Sequence, residues 1–423
     1  MSHPSPPLIA TTVALPEPPD LLAHAGDDGL LFRAEDGGLA AHGEALRIEL
    51  PHGLADPRAV AGVQRSLAAI VTEDALRLPG TGPVAVGALP FDPAGPGHLV
   101  VPRRIFGRAG ERGWLTTIEP GGAGPEPVVL ADDGARAHAD GAEGPGGEPP
   151  DRFEMVPTMT HSEWKGVVAD AVDLLERGEL AKVVLARRID IAANRPFVVS
   201  DVLERLIALY PSCTIYSVDG FVGASPELLV RRRGDRVESH PLAGTVARSG
   251  DEQGDRVLVA RMLGSAKIRH EHRVVVDAIA GALRPMCERL DVPATPSVLG
   301  LRNVSHLATH ISGQLPPGQG PSALELAARI HPTPAVGGSP TDDAIRYIHK
   351  VEGFDRGRYA GPVGWMDANG DGCFALGIRC AELDGPTARI YAGNGIVAGS
   401  NPAEELGETQ LKLQALLAAL VRP

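Results

Sequence analysis

Lysine is scarce in this chain. Of its 40 basic residues only five are lysines, at Lys165, Lys182, Lys267, Lys350 and Lys412, so arginine is the default base and each lysine stands out. Cysteine is scarcer still: Cys213, Cys287, Cys373 and Cys380 form no CxxC pair. That spacing argues against a disulfide framework or a zinc site and reads as reduced thiols in a cytoplasmic protein. Aromatics make up 4% of residues, too few to furnish the sugar-stacking platforms of a two-carboxylate glycosidase. No apolar run approaches the ~18 residues of a membrane span, and the N-terminal segment lacks the positive n-region of a secretory leader. Basic blocks are missing too. With a net charge of −13 the chain is a poor nucleic-acid binder, since phosphate neutralisation needs clustered Lys and Arg. An anionic small molecule stays open, because a local pocket can override bulk charge.

What the chain has is length. Its 423 residues can bury roughly 75% of their unfolded surface as one unit, so the core needs no metal or disulfide staple. Gly (51) and Pro (38) together stay below the ~25–30% of low-complexity disorder. Residues 119–152, rich in Gly, Pro, Ala and Asp, read as a long loop or linker. Before this seam, short strands near 83–87 and 98–101 alternate with a helix over 57–69. After it comes a regular mixture of helices and strands.

Thr160-His161-Ser162-Glu163 is a capping box opening a helix that carries Trp164, Val168, Ala171 and Leu175 on one face, with Gly178 closing it. A strand over 181–188 follows. Segments 228–233 and 236–240 form a hairpin across Gly234-Asp235. The pattern predicts one long helix over about 256–290. The last helix starts at Asn401, with Pro402 in its first turn and Glu404 completing a capping box.

Four chemical-looking motifs fail. Asp367-Ala368-Asn369-Gly370-Asp371-Gly372 begins like a calcium loop, but its twelfth position is Ile378, where a bidentate Glu is required; it reads as a hairpin turn. Gly393-x-Gly395-x-x-Ala398 mimics a dinucleotide fingerprint, yet no second strand or ribose-binding acid follows. Its backbone amides could still bind a carboxylate. His270-Glu271-His272 cannot share a metal, because helical residues two apart diverge by ~200°. Ser225 is no nucleophile elbow, since Pro226 follows it and the last glycine is missing.

Three features survive. Lys182 lies in a β-branched run; it is either a solvated edge lysine or a pocket base. Glu227 follows Ser225-Pro226 before an apolar strand, as a solvated strand end or as a desolvated acid able to protonate a leaving group. Glu405, Glu408 and Lys412 recur at i, i+3 and i+7, one stripe on the last helix. Salt bridging would explain them; so would inward carboxylates that join Glu271 in an all-oxygen Mg²⁺ site.

Taken together the residues resemble a family. Lys182-Val-Val-Leu-Ala-Arg, Ser225-Pro-Glu-Leu, Pro241-Leu-Ala-Gly-Thr245, His270-Glu-His272, His306-Leu, His331-Pro-Thr-Pro-Ala335, Arg356-x-x-Tyr359-Ala-Gly, Gly377-Ile-Arg379, Gly393-x-Gly395-Ile and Glu405-x-x-Glu408-Thr-x-x-x-Lys412 occur in order. This series is similar to the chorismate-utilising enzymes, which include anthranilate, aminodeoxychorismate, salicylate and isochorismate synthases. It covers about 155–423 and looks most like the isochorismate synthases, since Lys182 stands where ammonia-using members carry Gln. Two positions depart from the pattern. Ile268 replaces the usual acidic residue, and Asn394 replaces a small residue between two glycines.

The resemblance implies an α/β (α+β) fold of two large antiparallel β-sheets packed together with helices on the outside. One domain would span 1–423, with an N-terminal lobe (1–118), the loop (119–152) and a catalytic region (153–423). It also implies conversion of chorismate to isochorismate, with Lys182 activating water for attack at C2 and Glu227 protonating the departing C4 hydroxyl. Mg²⁺ would be held by Glu271 and Glu408, with Glu405 assisting. Gly244 and Thr245 would line the ring carboxylate, and His306 the C4 side. Tyr359, Arg379, Lys412, Gly393 and Gly395 would bind the enolpyruvyl carboxylate. The alternatives are a salicylate synthase, which goes on to eliminate pyruvate, and a non-catalytic chorismate-binding homologue. The expected partner is the small molecule alone, with no nucleic acid, no membrane and a monomeric chain. The product would feed siderophore, salicylate or menaquinone synthesis.

Overall fold

A computed structural model describes residues 6–121 and 148–421; most of the 119–152 segment lies outside the described residues. Two sheets dominate. The larger, of 13 strands, carries Lys182–Ala193 between Phe153–Pro157 and Thr387–Ile396, then continues through Cys380–Asp384, Phe221–Ser225 and Thr214–Val218. Beyond that point its strands come from the N-terminal part of the chain, starting with Leu30–Ala34 and Gly37–His42. The second sheet has nine strands and also mixes both regions: Pro362–Asp367 pairs with Val84–Ala88. Pairing is antiparallel except where Leu8–Leu15 meets Val71–Asp74. A three-stranded sheet, Leu242–Ala247 with Val304–Ala308 and Ser297–Gly300, completes the set.

The two large sheets share one core, in which Phe32, Leu39 and Leu185 of the first meet Val86, Val230 and Phe374 of the second. Among the described residues no helix is long and apolar enough to cross a membrane.

Local signals explain most elements. Thr160 and Glu163 close a reciprocal capping box over the helix His161–Glu176. Leu228–Arg233 and Arg236–His240 pair as a hairpin, and the calcium-like segment is the turn between Pro362–Asp367 and Gly372–Leu376. The strand beginning at Lys182 runs to Ala193, five residues past the expected end, because Phe153–Pro157 pairs with its second half.

Two expectations need correcting. The long helix over 256–290 is two helices, Glu252–Gly264 and Ala266–Leu283. Ser265 sits between them in extended backbone and caps the second by accepting from the Ile268 amide. Gly264 next to a good N-cap residue lets the chain restart in a new direction. In the last helix, Pro402–Leu420, Asn401 accepts from the amides of Ala403 and Glu404, but the return bond from the Glu404 side chain is not made.

Candidate active site

One pocket gathers residues from the larger sheet, the small sheet, two helices and the connections between strands. Lys182 enters from the start of the strand Lys182–Ala193, Glu227 from the turn before Leu228–Arg233, and Gly244, Thr245 and His306 from the small sheet. Tyr359, Arg379, Gly393 and Gly395 line another side, with Glu271, Glu408 and Lys412 from two helices. Glu405 alone of the predicted set is not in the lining; it is buried behind it. A larger cavity of about 410 Å³ lies between the two large sheets, lined by Phe32, Trp114 and Trp365 among others, and holds none of these residues.

Lys182 is no solvated edge lysine. It is 1% exposed and its Nζ lies 3.1 Å from Glu271 Oε1. Glu227 sits not on a neighbouring strand but in the connection by which the chain leaves the larger sheet after Phe221–Ser225 and enters the second at Leu228–Arg233. Burial pushes its carboxyl up to about 8, against the pull of the Leu242 amide and the charges of Lys182 and Lys412. A protonated acid therefore faces a buried lysine at neutral pH.

His306 is held well below its ordinary range by burial, then by the positive charges of Arg379 and Lys412. Arg379 Nη2 lies 3.4 Å from His306 Nε2. A guanidinium can only donate, so Nε2 is the acceptor and Nδ1 carries the proton, facing Thr245 Oγ1 at 3.0 Å. Burial lowers the pKa of Arg379 and raises that of Tyr359. The Tyr359 ring stacks on Tyr391, with centroids 4.9 Å apart.

Gly393 and Gly395 lie inside the strand Thr387–Ile396, not in a loop before a helix. They stand opposite Ala186 and Val184. Those two residues send their amides elsewhere, to Glu352 Oε1 at 2.7 Å and to Gly337 O at 2.7 Å. Opposed residues of this kind turn their backbone groups away from each other, so the amides of Gly393 and Gly395 point away from Lys182–Ala193. The neighbour on that side, Cys380–Asp384, stops pairing at Ile390. Amides free of a ladder can meet a carboxylate.

Lys412 lines the pocket. Its three donors are already engaged, by Gly393 O at 2.8 Å, Asn394 Oδ1 at 3.1 Å and Glu408 Oε1 at 2.6 Å. It brings a positive charge to the pocket and ties the last helix to the strand Thr387–Ile396.

The predicted metal carboxylates are each matched by a lysine. Glu271 pairs with Lys182, Glu408 with Lys412 and Glu405 with Lys267 at 3.7 Å. Burial raises Glu405 to about 7, with Glu408 and Glu271 adding repulsion against Lys267. Among the described residues no three His, Cys, Asp or Glu side chains converge into a ready-made metal cage. The donor set nevertheless fits a hard cation: it is all carboxylate oxygen, mutually repelling, and Mg²⁺ needs only one or two carboxylates beside water and substrate oxygens.

Sequence reasoning missed two residues. Tyr391 lies on the same strand face as Gly393 and Gly395, two and four residues on, so period-2 alternation could have found it. Glu352 lies 3% exposed among the core residues, and its carboxylate takes the Ala186 amide and Arg356 Nε at 2.8 Å. No local pattern marks it.

Residues 32–421 match the family described as chorismate binding enzyme. The chain belongs to that family. It is 38% identical over 351 residues to the isochorismate synthase DhbC of Bacillus subtilis, covering 80% of this chain and 81% of the relative. To the isochorismate synthase EntC of Escherichia coli it is 37% identical over 340 residues, covering 79% and 80%. Among solved structures, the menaquinone-specific isochorismate synthase MenF of Escherichia coli superposes with a TM-score of 0.78 at 25% identity, covering 98% of this chain and 95% of that one. As a chorismate-binding enzyme the chain has the expected mixed α+β fold, with large antiparallel sheets.

Proposed function

We propose that this protein is an isochorismate synthase, which adds water at C2 of chorismate and releases the C4 hydroxyl. The observation that carries the reading is the pairing of an acid kept protonated to about pH 8, Glu227, with the buried Lys182 in one pocket. In its free-amine form Lys182 takes a proton from water as that water attacks C2. Glu227 gives its proton to the departing C4 oxygen. Such general acid and base help is worth ~10²–10⁴-fold each.

The substrate carries two carboxylates. Arg379, oriented by neutral His306, and the Tyr359 hydroxyl would meet the enolpyruvyl carboxylate together with the amides of Gly393 and Gly395. An arginine fork suits two oxygens. Glu271 and Glu408, backed by Glu405, would hold Mg²⁺, which when bound supplies positive charge against the ring carboxylate. Gly244 and Thr245 lie on the same side. Lys412 keeps the strand and the last helix in register and adds charge.

Chromatography of products from chorismate with Mg²⁺ tests this reading. The expected result is isochorismate alone, lost with EDTA and restored by Mg²⁺. Salicylate with pyruvate would make it a salicylate synthase, and tight chorismate binding without product would make it a non-catalytic homologue. Turnover indifferent to EDTA would make the carboxylates structural.

A further inference from the structure

Asn394 lies between the two pocket glycines but faces the other way. Alternation along Thr387–Ile396 turns Gly393 and Gly395 to the pocket and Asn394 to the last helix. Its side chain is 1% exposed. The amide nitrogen donates to Glu405 O at 2.6 Å and to Glu405 Oε2 at 3.2 Å, while its oxygen accepts from Lys412 Nζ at 3.1 Å. The orientation is forced, because a backbone carbonyl can only accept and an ammonium can only donate.

Glu405 and Lys412 are seven residues apart, about 10 Å along a helix. A single amide spans them from the strand side. Only a side chain with donor and acceptor on one carbon can do so; a carboxylate would set oxygen against Glu405, and an alanine would reach neither. We propose that Asn394 is a positioning residue that ties Glu405 to Lys412 behind the pocket floor, coupling the cation end of the site to its carboxylate end. The proposal rests on the reading of Glu405 as part of the cation set. Lys412 in turn holds Gly393 O and Glu408, so displacing Asn394 loosens a chain from Glu405 to the strand that carries the two glycines.

The test is Asn394→Ala, read by the melting temperature of the full chain against Mg²⁺ concentration and by steady-state kinetics with chorismate. Loss of a group that orients metal carboxylates commonly costs ~10–100-fold in metal affinity. The half-saturating Mg²⁺ concentration should rise about tenfold. The KM for chorismate should rise several-fold, with kcat at saturation changing much less. A merely structural role would lower the melting temperature without moving either concentration. If Asn394→Ala does not fold, Asn394→Leu fills the same space without polar atoms and carries the same expectation. A folded variant with both concentrations within twofold of wild type overturns the proposal. A wild-type melting temperature that ignores Mg²⁺ overturns the cation reading instead, and the proposal then stands or falls on the KM of the variant.

Discussion

Lys182 and Glu271 are partners at the floor of the pocket, 3.1 Å apart, and the lysine is almost wholly enclosed. The strand Lys182–Ala193 supplies one and the helix Ala266–Leu283 the other. The backbone of Gly395 lies against both: a Cβ there would overlap Glu271 Oε1 and come within 2.7 Å of Lys182 Cε.

Lys182→Ala is predicted to lower kcat by ~10²–10⁴-fold, the usual worth of a general base. Chromatographic measurement of chorismate turnover checks it. Full turnover in the variant would remove Lys182 from the mechanism.

Gly395→Ala should cost activity before stability. Its backbone is not left-handed, so the added methyl strains only the side chains it meets, and those are Lys182 and Glu271. We expect kcat/KM to fall at least tenfold, on the order expected when a reacting group is misplaced by about 1 Å, with the melting temperature within a few degrees of wild type. An active variant would show that the pair can shift without consequence.

The raised pKa of Glu227 has two consequences with definite signs. Turnover should hold below about pH 8 and fall above it as the acid loses its proton. Stability should also fall as pH rises from about 4.5 towards 8, because over that window the folded state holds a proton that the unfolded state has released. The slope is at most about 1.4 kcal/mol per pH unit. Glu227→Gln should flatten both profiles, the first at a low rate. A wild-type rate still rising beyond pH 9 would contradict the acid assignment.

Arg356 and Glu352 form an ion pair whose side chains are 2% and 1% exposed. Arg356 also donates to Val336 O and Val184 O, each at 2.8 Å. The pair thus buttresses the strand that begins at Lys182. Glu352→Ala leaves a buried cation and an unpaired Ala186 amide, so it should cost about 3–5 kcal/mol. Denaturant titration measures this; a loss under 1 kcal/mol would mean that water repairs the site.

Much of the pocket was legible because its residues recur in short ordered blocks. Strand alternation and capping residues placed many of the elements, including the hairpin across Gly234-Asp235. The break at Ser265 was hidden by an apolar pattern that continues through it. Gly393 and Gly395 mimicked a dinucleotide fingerprint because glycine spacing alone does not reveal backbone conformation; pairing with Ala186 and Val184 keeps them in a strand.

The sequence by itself determined the residue types: scarce lysines, three carboxylates on two helices, and an acid before an apolar strand. Whether Lys182 was solvated or enclosed depended on which elements cover it, and that only tertiary packing decided. The same holds for Lys412, a cation whose donors are spent on the strand and helix around it, and for Asn394, whose role depends on partners 11 and 18 residues away. Charge and hydrogen-bonding capacity are written into each side chain; burial and partner are set by the fold, and they decide whether a lysine is enclosed, clamped or left at the surface.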